Sequence, residues 1–277
     1  MGKDRSNEGL SIISCRSLIN GCFNNAEAKV AIEKELAIFI NGKHLTTASL
    51  TPTMEKEYVI GYLIGQGFIS HHEEIEAIKI EGNMVEVKIA DYQKTIQGTR
   101  ETKYRIVSGG GKAAFFDEIA LPKIESNLKI SKENIFKAMS LLFTGAELYK
   151  ETTSVHATGL FTPEAVPICL VEDIGRHNTL DKVIGYAITR NVDLGDTFLA
   201  STGRMASEMV SKICRAKIPI VATKTATTKL GIEIGKENGL TIVGFVRDEG
   251  TKISTDMEVR IFKERGMKIY TNPERIV

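Results

Sequence analysis

The fifty residues TFLASTGRMASEMVSKICRAKIPIVATKTATTKLGIEIGKENGLTIVGFV, 197–246, alternate between two patterns. Short apolar runs rich in β-branched residues are typical of buried strands, and the longer amphipathic segments between them have the spacing of helices. The strand-like runs are 197–201, 218–224 and 240–246, and the helix-like segments are 204–216 and 227–239. This alternation predicts an α/β fold whose sheet is largely parallel, with helices over its two faces.

The same alternation begins earlier in the chain. Strand-like segments around 159–172 lead through the polar turn EDIGRHN, 172–178, into an amphipathic segment at 179–191. A further helix is predicted at 132–148, and Ser131 is its expected cap because a serine hydroxyl accepts a backbone N–H at a helix start.

The first third of the chain has a different pattern. Two hairpins are predicted, one around Asn41-Gly42 and one around Gly82-Asn83, since such dipeptides favour tight turns between strands. Between the hairpins, 51–70 has helical spacing, and Thr51 or Thr53 can cap that helix.

These patterns divide the chain into three parts. We predict an N-terminal α+β region at 1–107, a glycine-containing loop and linker at 108–130, and an α/β domain at 131–277.

Composition excludes several functional classes. The net charge is +1, so no overall field attracts nucleic acid or a membrane surface. The apolar stretches are shorter than the ~20 residues of a membrane span. The first residues, MGKDRSNEGL, contain no apolar segment of the kind found in secretory signals. We therefore expect a cytoplasmic protein whose anion-binding groups are local.

The four cysteines form no CxxC pair, which argues against a zinc knuckle or a disulfide framework. Cys169 and Cys214 lie in apolar or amphipathic runs, and we expect them to be buried and inert. Cys15 and Cys22 lie in an N-terminus that is expected to be loose, and they could in principle approach a site on a flexible arm.

Basic residues follow the predicted strands where the chain turns into the next element. In open α/β sheets these junctions bind ligands, and helix N-termini and arginine forks favour phosphate. The candidate ligand-binding residues are Glu172, Asp173, Gly175, Arg176, His177, Asn178, Gly203, Arg204, Lys224, Thr225, Phe245 and Arg247. The two carboxylates could accept hydrogen bonds from a base or a ribose.

An ordinary interpretation competes with this one, because solvated turns are polar in any α/β protein. The segment EDIGRHN, with charges of both signs and an imidazole at a helix start, favours function. His177 is either an acid–base group or only a helix cap. His156 is expected to pack or to form hydrogen bonds, since the sequence lacks the glutamate and Pro-Cys-x-x-Cys of a zinc deaminase.

At EDIGRHNTLDKVIG, 172–185, the chain resembles the FdhD family, the formate dehydrogenase accessory sulfurtransferases. Further stretches agree with the family, and together they extend over roughly 30–277. They are EKEYVIGYLIGQGFIS (55–70), TTSVHATGLF (152–161), the block from Ser201 to Arg247, and IYTNPERI (269–276).

The resemblance implies a cytidine-deaminase-like fold and a homodimer. Members of the family take sulfur from a cysteine desulfurase as a persulfide. They pass it to a bis-molybdopterin guanine dinucleotide cofactor of molybdenum or tungsten before that cofactor enters formate dehydrogenase. The persulfide forms on a Cys-x-x-Cys loop, where a low-pKa thiolate is required.

That family loop falls on VSGGGK, 107–112. Val107 and Gly110 stand where the family has its cysteines, within the glycine run Gly109, Gly110 and Gly111, and Lys112 is retained. Neither replacement can hold sulfur, so it stays open whether the chain is an enzyme. The alternative is a carrier that binds the cofactor, or a guanine nucleotide such as GDP or GMP, without sulfur transfer.

The resemblance also places cofactor contacts near the C-terminus, where this chain has an insertion at 248–266. Phe245 and Arg247 precede the insertion, and Phe262, Arg265 and Gly266 lie at its end. Both groups are candidates, and the sequence does not choose between them.

Overall fold

A computed structural model describes residues 9–90, 103–106, 112–115, 120–247, 252–255, 258–261 and 265–277. The α-helices in these ranges are α1 (Glu55–Gln66), α2 (Lys132–Gly145), α3 (Glu147–Thr152), α4 (Arg176–Thr189), α5 (Ser207–Arg215) and α6 (Lys229–Glu237). The strands are β1 (Leu10–Ile19), β2 (Cys22–Ala31), β3 (Lys34–Ile40), β4 (Lys43–Leu50), β5 (Ile75–Glu81), β6 (Met84–Ile89), β7 (Lys103–Ile106), β8 (Lys112–Phe115), β9 (His156–Phe161), β10 (Pro167–Asp173), β11 (Phe198–Ser201), β12 (Ile220–Thr223), β13 (Thr241–Arg247), β14 (Lys252–Thr255), β15 (Glu258–Ile261) and β16 (Gly266–Ile269).

The main sheet has six strands in the order β10-β9-β11-β12-β13-β16. The predicted α/β class is confirmed, and β11, β12 and β13 are parallel neighbours joined through α5 and α6. The sheet as a whole is mixed, because β9 is antiparallel to both β10 and β11, and β16 is antiparallel to β13.

The directions of the strands place the carboxyl ends of several strands at one side of the main sheet. Since β9 runs opposite to both of its neighbours, β10 points the same way as β11, β12 and β13. The carboxyl ends of these four strands therefore share one edge, and β9 and β16 begin there. We call this side of the sheet the carboxyl edge.

Alternating side chains of the main sheet enter two apolar clusters. Leu160, Leu199 and Val221 belong to a core that α1, α4 and α5 share. Phe161, Phe198 and other residues of the opposite face pack with α2. The sheet is thus covered on both sides, as the buried strand pattern requires.

The N-terminal region contains a second sheet in the order β4-β3-β6-β5. Both predicted hairpins are confirmed, β3-β4 around Asn41-Gly42 and β5-β6 around Gly82-Asn83. The inward side chains of this sheet join the same core as α1 and the main sheet. The predicted domain boundaries stay a prediction.

The predicted cap of α1 is wrong. The helix begins after Met54, which has a left-handed φ of 54° and gives no side-chain cap. Thr51 is engaged elsewhere, since its backbone N–H and its hydroxyl both bond to the segment 173–174. Ser131 does cap α2 as predicted, and its Oγ accepts a hydrogen bond from the Asn134 N–H at 3.2 Å.

Two glycines let α1 and α4 cross with their backbones in contact. A Cβ on Gly61 would overlap the backbone carbonyl of Asp181, and a Cβ on Gly185 would overlap that of Glu57. Each glycine therefore meets the residue four positions before the other glycine. This close packing fixes the N-terminal helix on the α/β sheet.

The N-terminus is more ordered than expected. Instead of a loose arm, β1 and β2 form an antiparallel hairpin of two ten-residue strands that contains Cys15 and Cys22. Its strand β2 lies beside α3, where Lys29 pairs with Glu151 at 2.5 Å. No helix in the described part of the chain is long and apolar enough to cross a bilayer.

Candidate anion-binding site

Asp173 holds the loop between β10 and α4. Its Oδ1 accepts hydrogen bonds from the Gly175 N–H at 2.9 Å and from Asn178 Nδ2 at 2.8 Å. Its Oδ2 accepts from the Thr51 N–H at 3.0 Å and pairs with the fully buried Lys182 Nζ at 2.5 Å. This carboxylate therefore ties the loop to α4 and to the N-terminal region.

Glu172, the preceding residue, points to the other face of the sheet. Its carboxylate accepts from the backbone N–H groups of Leu148 and Tyr149, so it caps α3. Burial raises the pKa of Glu172, and these hydrogen bonds oppose the rise. Glu172 and Asp173 both accept hydrogen bonds within the protein. A base or ribose of a ligand would have to compete with those bonds, and its recognition by these carboxylates stays a prediction.

Buried hydroxyl groups fix the loops that follow β10 and β11. Thr158 Oγ1 lies 2.8 Å from Thr179 Oγ1 and 3.0 Å from Ser201 Oγ, which accepts the Gly203 N–H at 3.1 Å. A Cβ on Gly203 would come within 2.9 Å of the Cβ of Arg176. Glycine at this position thus lets the two loops approach each other.

Arg176 and His177 open α4 at the carboxyl edge, beside the loop that carries Arg204. Burial lowers the pKa of Arg176, and the positive charge of Arg204 lowers it further. Glu208 of α5 acts in the opposite direction, with its Oε1 3.9 Å from Arg176 Nη2 and 3.4 Å from His177 Nε2. Cations of two loops are therefore held close together here.

A second pair of like charges lies after β12 and β13. Lys224 has its Nζ 4.6 Å from the ring centroid of Phe143, on α2. Burial lowers the pKa of Lys224, and the charge of Arg247 lowers it further. The guanidinium carbon of Arg265 lies 4.3 Å from the ring centroid of Phe136. One face of α2 therefore carries both aromatic rings that contact these cations.

The interrupted C-terminal motif is brought together by strand pairing. Arg247, just before the insertion, lies opposite Gly266, the last residue of the insertion. Phe245 has a left-handed φ of 53°, its N–H bonds to the Thr225 carbonyl at 2.9 Å, and its ring faces Arg247 at 5.0 Å. The register shift in β13 accompanies this turn of the backbone. Phe245 and Arg247 of the first candidate group and Arg265 and Gly266 of the second therefore lie at the carboxyl edge, and Phe262 is outside the described residues.

His156 lies at the same edge, at the start of β9. Its Nδ1 is 3.4 Å from Thr202 Oγ1. Burial lowers the pKa of His156, and the nearby Arg176 and His177 lower it further. Among the described residues no group of three His, Cys, Asp or Glu side chains could hold a metal ion.

Several predicted residues lie outside the description. Val107, Gly109, Gly110, Gly111 and Phe262 are among them, and Lys112 is placed only as the first residue of β8.

Sequence reasoning missed three contributors to the site, namely Glu208, Phe136 and Phe143. The phenylalanines are seven residues apart on a helix that is distant in sequence from every basic loop. Glu208 has the clearer signal, because a carboxylate at the start of a helix that follows a basic loop can reach the cations of that loop.

The arrangement suits an anion with several charges. We call Arg176, Arg204, Lys224, Arg247 and Arg265 the basic edge. Two pairs of like charges within it repel each other, and phosphate groups would relieve that repulsion while accepting from the guanidinium forks. Fold and site thus define an α/β protein with basic side chains clustered at the carboxyl edge of its main sheet.

Comparison with known proteins identifies its family. The model of the FdhD/NarQ family matches residues 31–277, so the chain belongs to that family. The sulfur carrier protein FdhD of Saccharolobus solfataricus is 33% identical over 234 residues, which are 83% of this chain and 90% of the relative. The protein of the same name from Bacillus subtilis is 29% identical over 92% of this chain and 93% of its own length.

A solved structure shares the fold. The crystal structure of a proposed formate dehydrogenase accessory protein from Desulfotalea psychrophila superposes with a TM-score of 0.73. It covers 97% of this chain and all of its own, at 24% identity.

Proposed function

We propose that this protein is an FdhD-type accessory factor in the maturation of a formate dehydrogenase. Its substrate is the bis-molybdopterin guanine dinucleotide cofactor of molybdenum or tungsten, held at the basic edge through its phosphate groups. The family match and the names of the relatives support the accessory role. The convergence of the basic loops at one sheet edge is the observation that carries the proposal.

The donor set fits such a substrate. Guanidinium groups bind phosphate oxygens in a bidentate manner, and the start of α4 adds backbone N–H groups. The rings of Phe136, Phe143 and Phe245 hold cations at the edge and so preorganise it.

On this proposal the protein binds the cofactor without carrying sulfur on the family's loop, since Val107 and Gly110 have no thiol. The core cysteines do not replace them. Burial raises the pKa of Cys169 and that of Cys214 to about 12, so neither is a thiolate at neutral pH. Transfer from a cysteine desulfurase would therefore need Cys15 or Cys22, on the N-terminal hairpin.

A sulfur-loading assay distinguishes cofactor binding without sulfur carriage from cofactor binding with sulfur transfer. The purified protein is incubated with a cysteine desulfurase and cysteine, and its intact mass is measured, with GDP binding measured by calorimetry in parallel. We expect GDP binding and no persulfide. A persulfide mapped to any of the four cysteines would contradict binding without sulfur carriage.

Arg176→Ala tests the basic edge itself. Loss of a charged hydrogen bond should weaken GDP binding by about 1–3 kcal/mol. Arg190→Ala is the matched control, because it removes the same charge near the other end of α4, where Arg190 pairs with Glu57. Equal affinities for wild type and Arg176→Ala would count against this site. Light scattering on the same samples tests the homodimer.

A gain-of-function variant tests the sulfur-carrying role directly. Val107→Cys combined with Gly110→Cys restores the Cys-x-x-Cys spacing of the family loop. We expect the double variant to gain persulfide in the desulfurase assay while its GDP affinity stays near that of the wild type. A variant that binds GDP and gains no sulfur would show that more than the two thiols separates this chain from a sulfur carrier.

A further inference from the structure

A carboxylate stands among the cations of the basic edge. Glu208 is the second residue of α5, and its side chain is largely buried. Its Oε1 lies within ion-pair distance of both Arg176 and His177, and its Oε2 accepts from Ser207 Oγ at 3.1 Å. A site that only attracts anions would have no use for a buried negative charge at this point.

The same two helices carry a second, deeper pair of facing charges. Asp181 follows His177 by one turn of α4, and Lys212 follows Glu208 by one turn of α5. Asp181 and Lys212 form a buried ion pair, and Lys212 Nζ lies 5.3 Å from the ring centroid of Tyr62 on α1. Glu208 therefore forms the outer of two carboxylate–cation contacts between α4 and α5, the one beside the basic edge.

We propose that Glu208 is a positioning residue for anion binding. Its carboxylate holds the Arg176 guanidinium and the His177 ring at the carboxyl edge, where a phosphate group of the substrate meets them. Arg204, on the adjoining loop, repels Arg176, and Glu208 offsets that repulsion before the ligand arrives. This inference rests on the proposed function, since it names the residue that prepares the same site.

Affinity measurements separate positioning from simple repulsion of the ligand. GDP and inorganic pyrophosphate are titrated into wild type, Glu208→Gln and Glu208→Ala by calorimetry. Repulsion predicts that both variants bind more tightly than wild type. Positioning predicts that both variants bind these ligands more weakly than wild type. We expect Glu208→Gln, which keeps an acceptor oxygen, to lose about threefold, as for a partly exposed ion pair. Glu208→Ala, which removes both oxygens, should lose about fivefold, the upper end of the range for such an ion pair.

The control is Glu233→Ala, which removes an exposed carboxylate that pairs with Lys229 on α6. It should bind both ligands as wild type does. Urea unfolding of each variant identifies a merely structural role, because loss of stability with unchanged affinity would overturn the proposal. Tighter binding by Glu208→Gln, which keeps the shape of the side chain, would also overturn it.

A spectroscopic arm distinguishes failure of this inference from failure of the proposed function. If wild type binds neither GDP nor pyrophosphate, the proposed function is wrong, and Glu208 is then judged on the ligand-free protein. NMR signals of the Arg176 Nε–H and the His177 ring should move toward the values of exposed side chains in Glu208→Ala and less so in Glu208→Gln. Unchanged signals would show that Glu208 does not hold these groups.

Discussion

The crossing of α1 and α4 and the basic edge involve different parts of α4, and their charged side chains are arranged differently. Next to the crossing, Asp181 of α4 pairs with Lys212, and where β10 leads into α4 the buried Asp173 pairs with Lys182. At the edge, four arginines and one lysine of different loops lie near one another, and Glu208 Oε1 lies 3.9 Å from Arg176 Nη2.

This contrast distinguishes charges that are paired inside the fold from like charges of different loops that lie close together at the basic edge. A buried ion must be compensated within the fold, since an uncompensated charge in the interior costs several kcal/mol. Where like charges of different loops converge at the edge of a sheet, a multiply charged ligand can offset their mutual repulsion. The convergence of like charges from different loops is therefore the feature from which we infer function here.

The largest expected effect is at the crossing. Gly61→Ala places a Cβ against the Asp181 carbonyl, so α1 and α4 must separate, and we expect a loss on the order of 3 kcal/mol in the free energy of unfolding. Urea unfolding measures it.

Gly65→Ala is the matched control, one turn further along α1. Its Cβ would meet only side-chain atoms of Asp181 and Lys212, at 3.1–3.3 Å. Its change should stay within about 1 kcal/mol, since alanine also favours the helix. Equal losses in the two variants would show that backbone contact is not what makes the crossing sensitive.

A smaller effect is expected at the edge. Phe143→Leu removes the ring beneath Lys224 and keeps an apolar side chain on α2. We expect GDP affinity to fall by about 0.5–1 kcal/mol, the value of a partly exposed cation–π contact, with little change in stability. Calorimetry checks it, and Phe39→Leu, whose ring contacts His44 on the N-terminal sheet, is the control. A loss of stability without a loss of affinity would assign Phe143 to the core alone.

The smallest effect concerns pH. The folded protein lowers the pKa of His156 below its ordinary 6.5, so the unfolded chain binds this proton more readily. The contribution of neutral His156 to the free energy of unfolding should therefore be fully present above pH 6.5. It should decrease as the pH falls from 6.5 through the pKa of the folded protein. His156→Gln should flatten this part of the unfolding profile, and bound pyrophosphate should do the same in wild type. Profiles of equal slope for wild type and variant would contradict the role of His156.

The sequence predicted most of the local structure, and the reasons are local. The turns at Asn41-Gly42 and Gly82-Asn83 require residues that tolerate left-handed backbone, and Ser131 caps α2 through the next turn of its own helix. The same local reasoning predicts Thr51 or Thr53 as the cap of α1, and that prediction is wrong. Thr51 instead bonds to a distant segment. Its partners, Asp173 and Ile174, are more than 120 residues away.

The sequence by itself determined the α/β alternation, the hairpins, the family motif at EDIGRHN and the absence of cysteine between residues 23 and 168. Tertiary structure alone decided that Arg247 meets Gly266 across the insertion, that α2 supplies the rings beneath Lys224 and Arg265, and that Glu208 reaches Arg176. Side-chain periods of 2 and 3.6 report on neighbouring residues, whereas these contacts depend on which buried faces pack together. The basic residues of the edge can therefore be identified from the sequence, whereas their arrangement in space depends on the fold.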